Sequence, residues 1–247
     1  MRFRFLVGPS AILALWALLA YTHTVSPLLL ASPHEVLVAL AKLLGSGALA
    51  SALLATTSRT LAGFAVSAVI GIPVGLVVGS SSAIREELRL VIDFCRSLPP
   101  TALLPLFLFF FGVGDLAKIL LSGFSCALII VLGTSEGVIG CNQMRLKLAT
   151  AFGASRWALL FRVIFPESLP SIAVALRTCL SLSLILVVVA EMYVGTGSGL
   201  GRMIADSHLM HRTSEMYATI AAAGLLGYAL NWGLRAVAVR VVHWSGK

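Results

Sequence analysis

Six apolar runs of 13 to 27 residues make up nearly half of this chain of 247 residues. About 20 apolar residues are needed for one α-helix to cross a bilayer, and a helix satisfies its own backbone N–H and C=O groups in lipid. The pattern therefore predicts an all-α polytopic membrane protein with about six transmembrane helices. The third run is short and contains Pro105, so we expect its span to include residues 90–98. The runs are 5–21, 61–79, 100–112, 116–134, 172–194 and 216–242.

The composition agrees with a membrane protein. Hydrophobic residues make up 59% of the chain and charged residues 11%, with a mean hydropathy of +1.00. Soluble domains carry about 25% charged residues. The first run follows Arg2 and Arg4, as in a signal peptide, but no small-residue cleavage site comes after it. We therefore expect a retained N-terminal anchor helix within residues 1–31.

The lysine and arginine residues divide unequally between the two sides of such a bundle. With the N-terminus in the cytoplasm, thirteen of the 18 lie on the inner side and five on the outer side. Cytoplasmic loops carry an excess of these residues, so we expect both termini to be cytoplasmic. A basic inner rim that faces anionic lipid and a protein partner also explains the net charge of +8 without a nucleic acid.

A helix start follows the first apolar run. Ser32 is placed to cap a helix, Pro33 suits its first turn, and Glu35 completes a capping box. Valine and leucine then recur at helical spacing, which is typical of an amphipathic helix on a membrane or a bundle. We expect an external amphipathic segment over residues 32–58 and a membrane core over residues 59–247.

A basic segment late in the chain is interrupted by Gly153. Glycine accepts a positive φ without steric cost, so this position predicts a sharp turn between two short helices. Ser155 is placed to cap the second helix. We expect Pro166 and Pro170 to begin a new spanning helix, where a missing N–H does little harm. A single apolar face is expected on the second short helix, formed by Trp157, Leu160 and Phe161.

This segment resembles the cytoplasmic coupling loop of ABC importer permease subunits. That loop reads Glu-Ala-Ala, three residues, Gly, nine residues, Ile, one residue, then Leu-Pro. Gly153, Val163 and Pro166 fall at the matching spacing, whereas Lys147-Leu148-Ala149 stands where Glu-Ala-Ala is usual. The likeness covers roughly residue 32 to the C-terminus. Within the permease family, the chain resembles the nitrate, sulfonate and taurine branch. The further collinear motifs lie at 58–64, 71–75, 96–106, 111–115, 190–192 and 197–201.

The resemblance implies a type I ABC importer permease fold with a coupling loop at about 136–166. It implies a cytoplasmic ABC ATPase dimer that holds ATP and Mg, so this chain itself binds no cofactor and is not an enzyme. It also implies an extracytoplasmic substrate-binding protein, a second permease copy or a close paralogue, and a multi-pass location in the bacterial inner membrane. The residues expected at the ATPase contact are Lys147, Ala149, Gly153, Ala154, Ser155, Arg156, Trp157 and Pro166.

The implied function is ATP-driven import of a small solute by alternating access. An anion such as a sulfonate, taurine or nitrate is favoured, and a neutral heterocycle such as a pyrimidine vitamin precursor is an alternative. A self-sufficient secondary carrier is a further alternative, which would show inverted repeats or buried charge relays. A membrane enzyme would need a nucleophile–base or metal constellation. The four cysteines lack paired metal spacing, and His208 and His211 fit a solvated polar loop better than a metal site.

Small residues recur every four positions along the second apolar run. Such a ridge lets two membrane helices approach closely, and Pro73 adds a kink that neighbouring helices can support. The ridge is either a static packing surface or a surface that slides or rocks during transport. Val78 is expected to face lipid. The ridge residues are Gly63, Ser67, Gly71, Gly75 and Gly79.

Four polar residues of the fifth run are candidates for the translocation path: Thr178, Ser181, Ser183 and Glu191. The hydroxyls have an alternative role, since serine and threonine in a helix often bond to their own backbone. A carboxylate among apolar residues is costly unless it faces water, a partner or a helix terminus. Glu191 is therefore expected either to pair with Arg59 or Arg202 or to gate the outer mouth.

Overall fold

The computed structural model describes residues 4–22, 24–26, 28–194 and 197–241. Arg2 and residues 242–247, which bear on the predicted position of the termini, lie outside the described residues. The described residues form helices joined by short turns, with no β-strand among them. The helices are α1 (Arg4–Tyr21), α2 (Pro33–Gly45), α3 (Ala48–Ser80), α4 (Ser82–Ser97), α5 (Leu104–Phe111), α6 (Asp115–Ile139), α7 (Gln143–Ala151), α8 (Arg156–Leu159), α9 (Phe165–Tyr193), α10 (Leu200–Leu209) and α11 (Thr213–Val241).

In the part of the chain that the structure describes, fewer than six helices are long and apolar enough to form a membrane span alone. Among the described residues, three qualify: α3, α6 and the continuous helical run Arg156–Tyr193. Helix α4 and residues Pro100–Phe111 together make a fourth candidate, as a broken span. The first and last apolar runs are helical as predicted, in α1 and α11, but neither is among the helices that qualify.

The third apolar run qualifies as a candidate span only together with the helix that contains residues 90–97, but the two do not form one straight helix. The chain instead bends by 86° between α4 and the helical segment Pro100–Phe111. Leu98 and Pro99 have extended backbone, with ψ values of 128° and 120°. Each precedes a proline, whose ring disfavours the α-region for the residue before it. The Pro99-Pro100 pair therefore ends α4 and turns the chain.

The described contacts divide the chain into two compact units, and the division falls within α3, α9 and α11. One unit comprises residues 1–56 and 191–226, and the other comprises residues 57–190 and 227–247. In the first unit, Trp16 donates from Nε1 to the carbonyl of Ala31 at 3.0 Å and stacks on Tyr217. Helix α1 is thereby tied to the part of α11 that contains Tyr217.

The predicted capping box at the start of α2 is confirmed. The Ser32 N–H donates to Glu35 Oε2 at 2.9 Å, and the Glu35 N–H donates to Ser32 Oγ at 3.4 Å. The bond from the Ser32 backbone is the main reason that the pKa of Glu35 lies below its usual value. Val36 and Ala39 are the buried residues of this helix and pack against Ala218, so α2 buries one face as an amphipathic helix does.

In the second unit, α3 and α6 run in the same direction. A Cβ atom placed on the ridge glycines would meet residues of α6 that lie 59 positions later in every case: Gly63 with Ser122, Gly71 with Ile130, Gly75 with Thr134 and Gly79 with Val138. A constant offset means that the two helices are parallel. The chain between them, α4 to α5, therefore returns along the length of this interface. From residue 63 to residue 79 that length is about 24 Å at 1.5 Å per residue, which is most of a bilayer core.

Helices α6 and α9 run in opposite directions. A Cβ on Gly133 would meet Ala175, whereas a Cβ on Gly137 would meet Ser171 and Ser168. Residue numbers therefore rise along α6 as they fall along α9. Cys126 and Cys179 exchange S–H···O bonds with each other's carbonyls, at 3.4 and 3.3 Å, further along the same interface. The core of this unit consequently lies where α6 packs between α3 and α9.

Candidate functional site

The turn predicted at Gly153 is present, and its geometry is a Schellman motif. Gly153 has a φ of +78°, and its N–H donates to the carbonyl of Thr150 at 2.9 Å. The Ala154 N–H donates to the carbonyl of Ala149 at 3.0 Å. These two bonds satisfy carbonyls that the end of α7 would otherwise leave unpaired. No atom lies within 4 Å of a Cβ placed on Gly153, so the backbone conformation rather than lack of space favours glycine here.

The second short helix begins at its predicted cap. Ser155 has extended backbone, and its Oγ accepts a hydrogen bond from the Ala158 N–H at 3.2 Å. Trp157 and Phe161 lie on one face and stack with ring centroids 5.8 Å apart at an angle of 9°. Both rings are exposed, to 71% and 57%, and Phe152 in the turn is exposed to 89%. The segment therefore presents a preformed aromatic surface.

The sequence suggested that a new helix begins at Pro166 and Pro170, but the structure has no helix break there. Helix α8 continues through a π-helical turn, Leu160–Ile164, into α9 without a break. The Phe165 N–H bonds to the carbonyl of Leu160, five residues earlier. A proline ring clashes with the carbonyl four residues before it, and the wider π turn relieves this conflict. The exposed aromatic pair is consequently attached to one end of a continuous helix that reaches Tyr193.

An ion pair also links α7 to the first turn of α9. Arg145 of α7 lies 3.4 Å from Glu167 of α9, measured from Nη1 to Oε1. Lys147 and Arg156 are exposed. A cavity of about 450 Å³ lies beside this ion pair, and Arg145, Arg162, Glu167 and Pro170 are among the residues that line it.

The glycine ridge of α3 is a helix interface. A Cβ on Gly71 or Gly79 would come within 2.8 or 2.6 Å of a Cβ on α6, which is closer than packed side chains allow. Ser67 is completely buried within the ridge, and its hydroxyl donates to the carbonyl of Phe64. The expectation that Val78 faces lipid is wrong, because Val78 is only 3% exposed, whereas its neighbour Val77 is 55% exposed.

The four candidate path residues do not lie together. Thr178 lines a cavity of about 580 Å³ between α4, α6 and α9, and its hydroxyl donates to the carbonyl of Val174 at 3.2 Å. Ser181 accepts a hydrogen bond from Asn231 Nδ2 at 2.8 Å. Ser183 is completely buried, lies 2.7 Å from Ser122 Oγ and donates to the carbonyl of Thr60. The two serines therefore join helices to one another, which favours their structural role.

Glu191, in the last turn of α9, places its carboxylate at the N-terminus of α10. It is 1% exposed, and its carboxylate accepts hydrogen bonds from the Thr56 hydroxyl at 2.9 Å and from the Gly201 N–H at 3.0 Å. Thr56 Oγ1 in turn accepts the N–H of Leu200 at 2.9 Å. A Cβ on Gly199 would collide with the Glu191 carboxylate. A negative charge is stabilised by the free N–H groups and the dipole at a helix N-terminus, so this arrangement anchors α10.

The two arginines considered as partners of Glu191 each lie within ion-pair distance of an aspartate. Arg202 donates from Nε to Asp206 at 2.7 Å on α10. In the second unit, Arg59 Nε lies 2.8 Å from Asp115 Oδ1, and Lys118 Nζ lies 3.6 Å from the same oxygen. Arg59 of α3 and Lys118 of α6 are 5% and 1% exposed, so two buried cations lie beside the carboxylate at the start of α6.

The chain matches a known family of transport proteins. Residues 71–243 match the family described as binding-protein-dependent transport system inner membrane component. The chain belongs to this family. It is thus an ABC importer permease subunit, and ATP hydrolysis takes place on a separate chain.

Relatives of known description agree with the family match. The permease is 32% identical to the taurine transport system permease protein of Escherichia coli (strain K12) over 243 residues, which cover 96% of this chain and 88% of that protein. It is 30% identical to the nitrate import permease protein of Leptolyngbya laminosa over 188 residues, which cover 76% and 67% of the two chains.

A solved structure shows the same fold. A chain of the MetNI methionine ABC transporter, in an inward-facing conformation, superimposes with a TM-score of 0.71. The match covers 78% of the permease and 96% of that chain at 19% sequence identity. The predicted fold of an ABC importer permease is therefore confirmed.

Sequence reasoning missed two charged residues of the permease that line the same cavity as Thr178. They are Arg96, from the last turn of α4, and Glu136, from the last turn of α6. Glu136 had a detectable signal, since a carboxylate at the end of an apolar span marks a functional position in membrane proteins. Arg96 was marked only as the first residue of the motif at 96–106, and nothing in that motif showed that the end of α4 reaches this cavity.

Proposed function

We propose that this permease subunit imports a small organic or inorganic anion that a soluble binding protein delivers. The taurine and nitrate relatives support an anionic group in the substrate. The positive-inside distribution supports a cytoplasmic N-terminus, which puts the Gly153 turn on the cytoplasmic side and α10 on the outer side. The binding protein would then meet the permease on the α10 side.

The observation that carries the proposal is the exposed Trp157–Phe161 pair on a turn of defined geometry. A cytoplasmic ATPase dimer would bind this surface, since exposed aromatic residues on a rigid element are typical anchors of protein interfaces. Residues 136–166 act as the coupling loop, and ATP with Mg is bound by the ATPase. Because the aromatic pair continues into α9 through an unbroken helix, movement of the ATPase is passed directly to a membrane span.

Transport would follow alternating access between two copies of this chain, or between this chain and a close paralogue. One chain has few spans to enclose a path, and closed two-fold assemblies are the commonest solution for such subunits. Closure of the ATPase dimer would pull on both coupling loops and shift the α3–α6 packing. The bacterial inner membrane is the proposed location.

Reconstitution tests the proposal. The permease, its ATPase and its binding protein are placed in proteoliposomes, and uptake of labelled taurine, methanesulfonate and nitrate is measured with and without internal ATP. We expect ATP-dependent uptake of at least one of the three anions. A complex that assembles and hydrolyses ATP but takes up none of them would contradict the proposed substrate class.

A further inference from the structure

The cavity that Thr178 lines is bounded by residues of three helices of one unit. Its volume is about 580 Å³, which is in the range of small-molecule sites. Arg96 comes from α4 and Glu136 from α6, while Ser171 and Thr178 come from α9. The other residues that line the cavity are small or apolar, and Gly133 is one of them.

The helix register sets the positions of the polar groups along the cavity. Gly133 packs against Ala175, and Gly137 against Ser171, so Thr178 lies level with about residue 130 of α6. Glu136 lies six residues further along, which is about 9 Å along the helix axis. The carboxylate therefore lies near one end of the cavity, at the level of Ser171, and Thr178 lies near the other.

The cavity is lined by charged side chains of both signs, Arg96 and Glu136. Arg96 Nε is 3.9 Å from Asp93 Oδ1, which is too long for a hydrogen bond, and its side chain is 57% exposed. The guanidinium offers five N–H donors and matches carboxylate, sulfonate or phosphate oxygens. Glu136 is exposed to the cavity and also borders a neighbouring cavity of about 410 Å³ that Arg85, Arg89 and Asp93 line.

We infer that this cavity binds a small zwitterion, with the anionic group at Arg96 and an ammonium group at Glu136. The inference rests on the proposed function and narrows it. A bare anion such as nitrate gains from Arg96 but is repelled by Glu136, whereas a molecule with both charges satisfies both side chains. An aminosulfonate fits this description, and an alkanesulfonate without an amine does not.

Protection of an introduced cysteine tests the site without transport. Val174→Cys is made in a Cys95→Ser permease, since Val174 lines the cavity and is 64% exposed. The permease–ATPase complex in nanodiscs is then labelled with a thiol reagent in the presence of taurine, isethionate (the same sulfonate with a hydroxyl in place of the amine) or ethylamine. Ile185→Cys, exposed on α9 outside the cavity, is the matched control and should not be protected.

We expect taurine to protect Val174→Cys at a concentration about tenfold lower than isethionate or ethylamine, the effect of one charge-assisted hydrogen bond. Glu136→Gln should bring taurine to the level of isethionate, and Arg96→Gln should weaken both sulfonates but not ethylamine. Equal protection by taurine and isethionate, or no protection by any probe, would overturn the inference.

The two proposals can fail separately. Selective protection by taurine in a complex without ATP-driven uptake would support the site and contradict the transport function. Uptake without selective protection would support transport and overturn the zwitterion site.

Discussion

Gly75 of α3 lies against Thr134 of α6 so closely that a Cβ on the glycine would be 2.5 Å from the threonine Cβ. The same Cβ would be 2.7 Å from the carbonyl oxygen of Val131. Backbone atoms cannot move aside as a flexible side chain can, so the two helices would have to separate. The parallel packing of α3 and α6 therefore depends on the absence of a side chain at Gly75.

The first prediction follows from this contact. Gly75→Leu should reduce uptake and alter basal ATP hydrolysis while the protein still inserts in the membrane, because overpacking costs about 1–3 kcal/mol. That is enough to bias a bundle whose two states differ by a few kcal/mol. Uptake and ATP hydrolysis by reconstituted complexes measure the effect. Val77→Leu is the control, since Val77 is exposed, and two variants that behave alike would remove the ridge from the transport cycle.

The second prediction concerns the turn in the coupling segment. Gly153→Val should abolish transport and substrate-stimulated ATP hydrolysis, because a β-branched residue is strained at a φ of +78°. Gly153→Asn is the matched control and should retain much of the activity, since asparagine tolerates this region better. Membrane fractions show whether both variants insert. Normal coupling in the valine variant would show that the turn is not needed.

The third prediction concerns the aromatic surface. Trp157→Ala together with Phe161→Ala should weaken binding of the ATPase by at least about tenfold, since truncated interface anchors commonly cost 2 kcal/mol or more. Co-purification and titration of the ATPase onto permease in nanodiscs measure the loss. Tyr228→Ala, which removes an exposed aromatic ring from α11, should leave binding unchanged. ATPase binding that survives the double substitution would place the contact elsewhere.

The fourth prediction concerns the anchor of α10. Thr56→Val removes the hydroxyl that donates to Glu191 and that accepts the Leu200 N–H, so two buried groups lose a partner. Each such loss costs about 1–3 kcal/mol, and we expect a lower unfolding temperature of the purified protein in a thermal-shift assay. Thr24→Val, at an exposed position, should have no effect. An unchanged unfolding temperature for Thr56→Val would show that the cluster does not stabilise the fold.

The fifth prediction concerns topology. Cysteine at Phe152 should be labelled only from the cytoplasm, and cysteine at Leu209 only from the outside. Both side chains are highly exposed. These positions are better reporters than Gly153 and Gly197, whose positive φ values strain any other residue. Labelling of both cysteines from one side would contradict the proposed orientation.

Local features of the chain were predictable from its sequence. The Gly153 turn, the Ser155 cap and the Ser32–Glu35 capping box depend on backbone conformation and on neighbours within a few residues, so short patterns determine them. The four-residue spacing of the α3 ridge likewise indicated a close helix contact. Helical spans follow from apolar length because lipid offers the backbone no other partner.

The tertiary structure alone decided which surfaces those helices share. In lipid a buried side chain and a lipid-facing one are equally apolar, so the sequence around Val78 and Val77 did not show which of them packs inside. The bend after α4 brings Arg96 to the same cavity as Glu136, forty residues later in the chain, and no local pattern records that meeting. Glu191 is similar, since the cost of a carboxylate in an apolar run was visible in the sequence, but its partner Thr56 lies 135 residues away in the chain. Periodicity encodes local conformation, whereas the pairing of helices depends on the fit of side chains that are far apart in sequence.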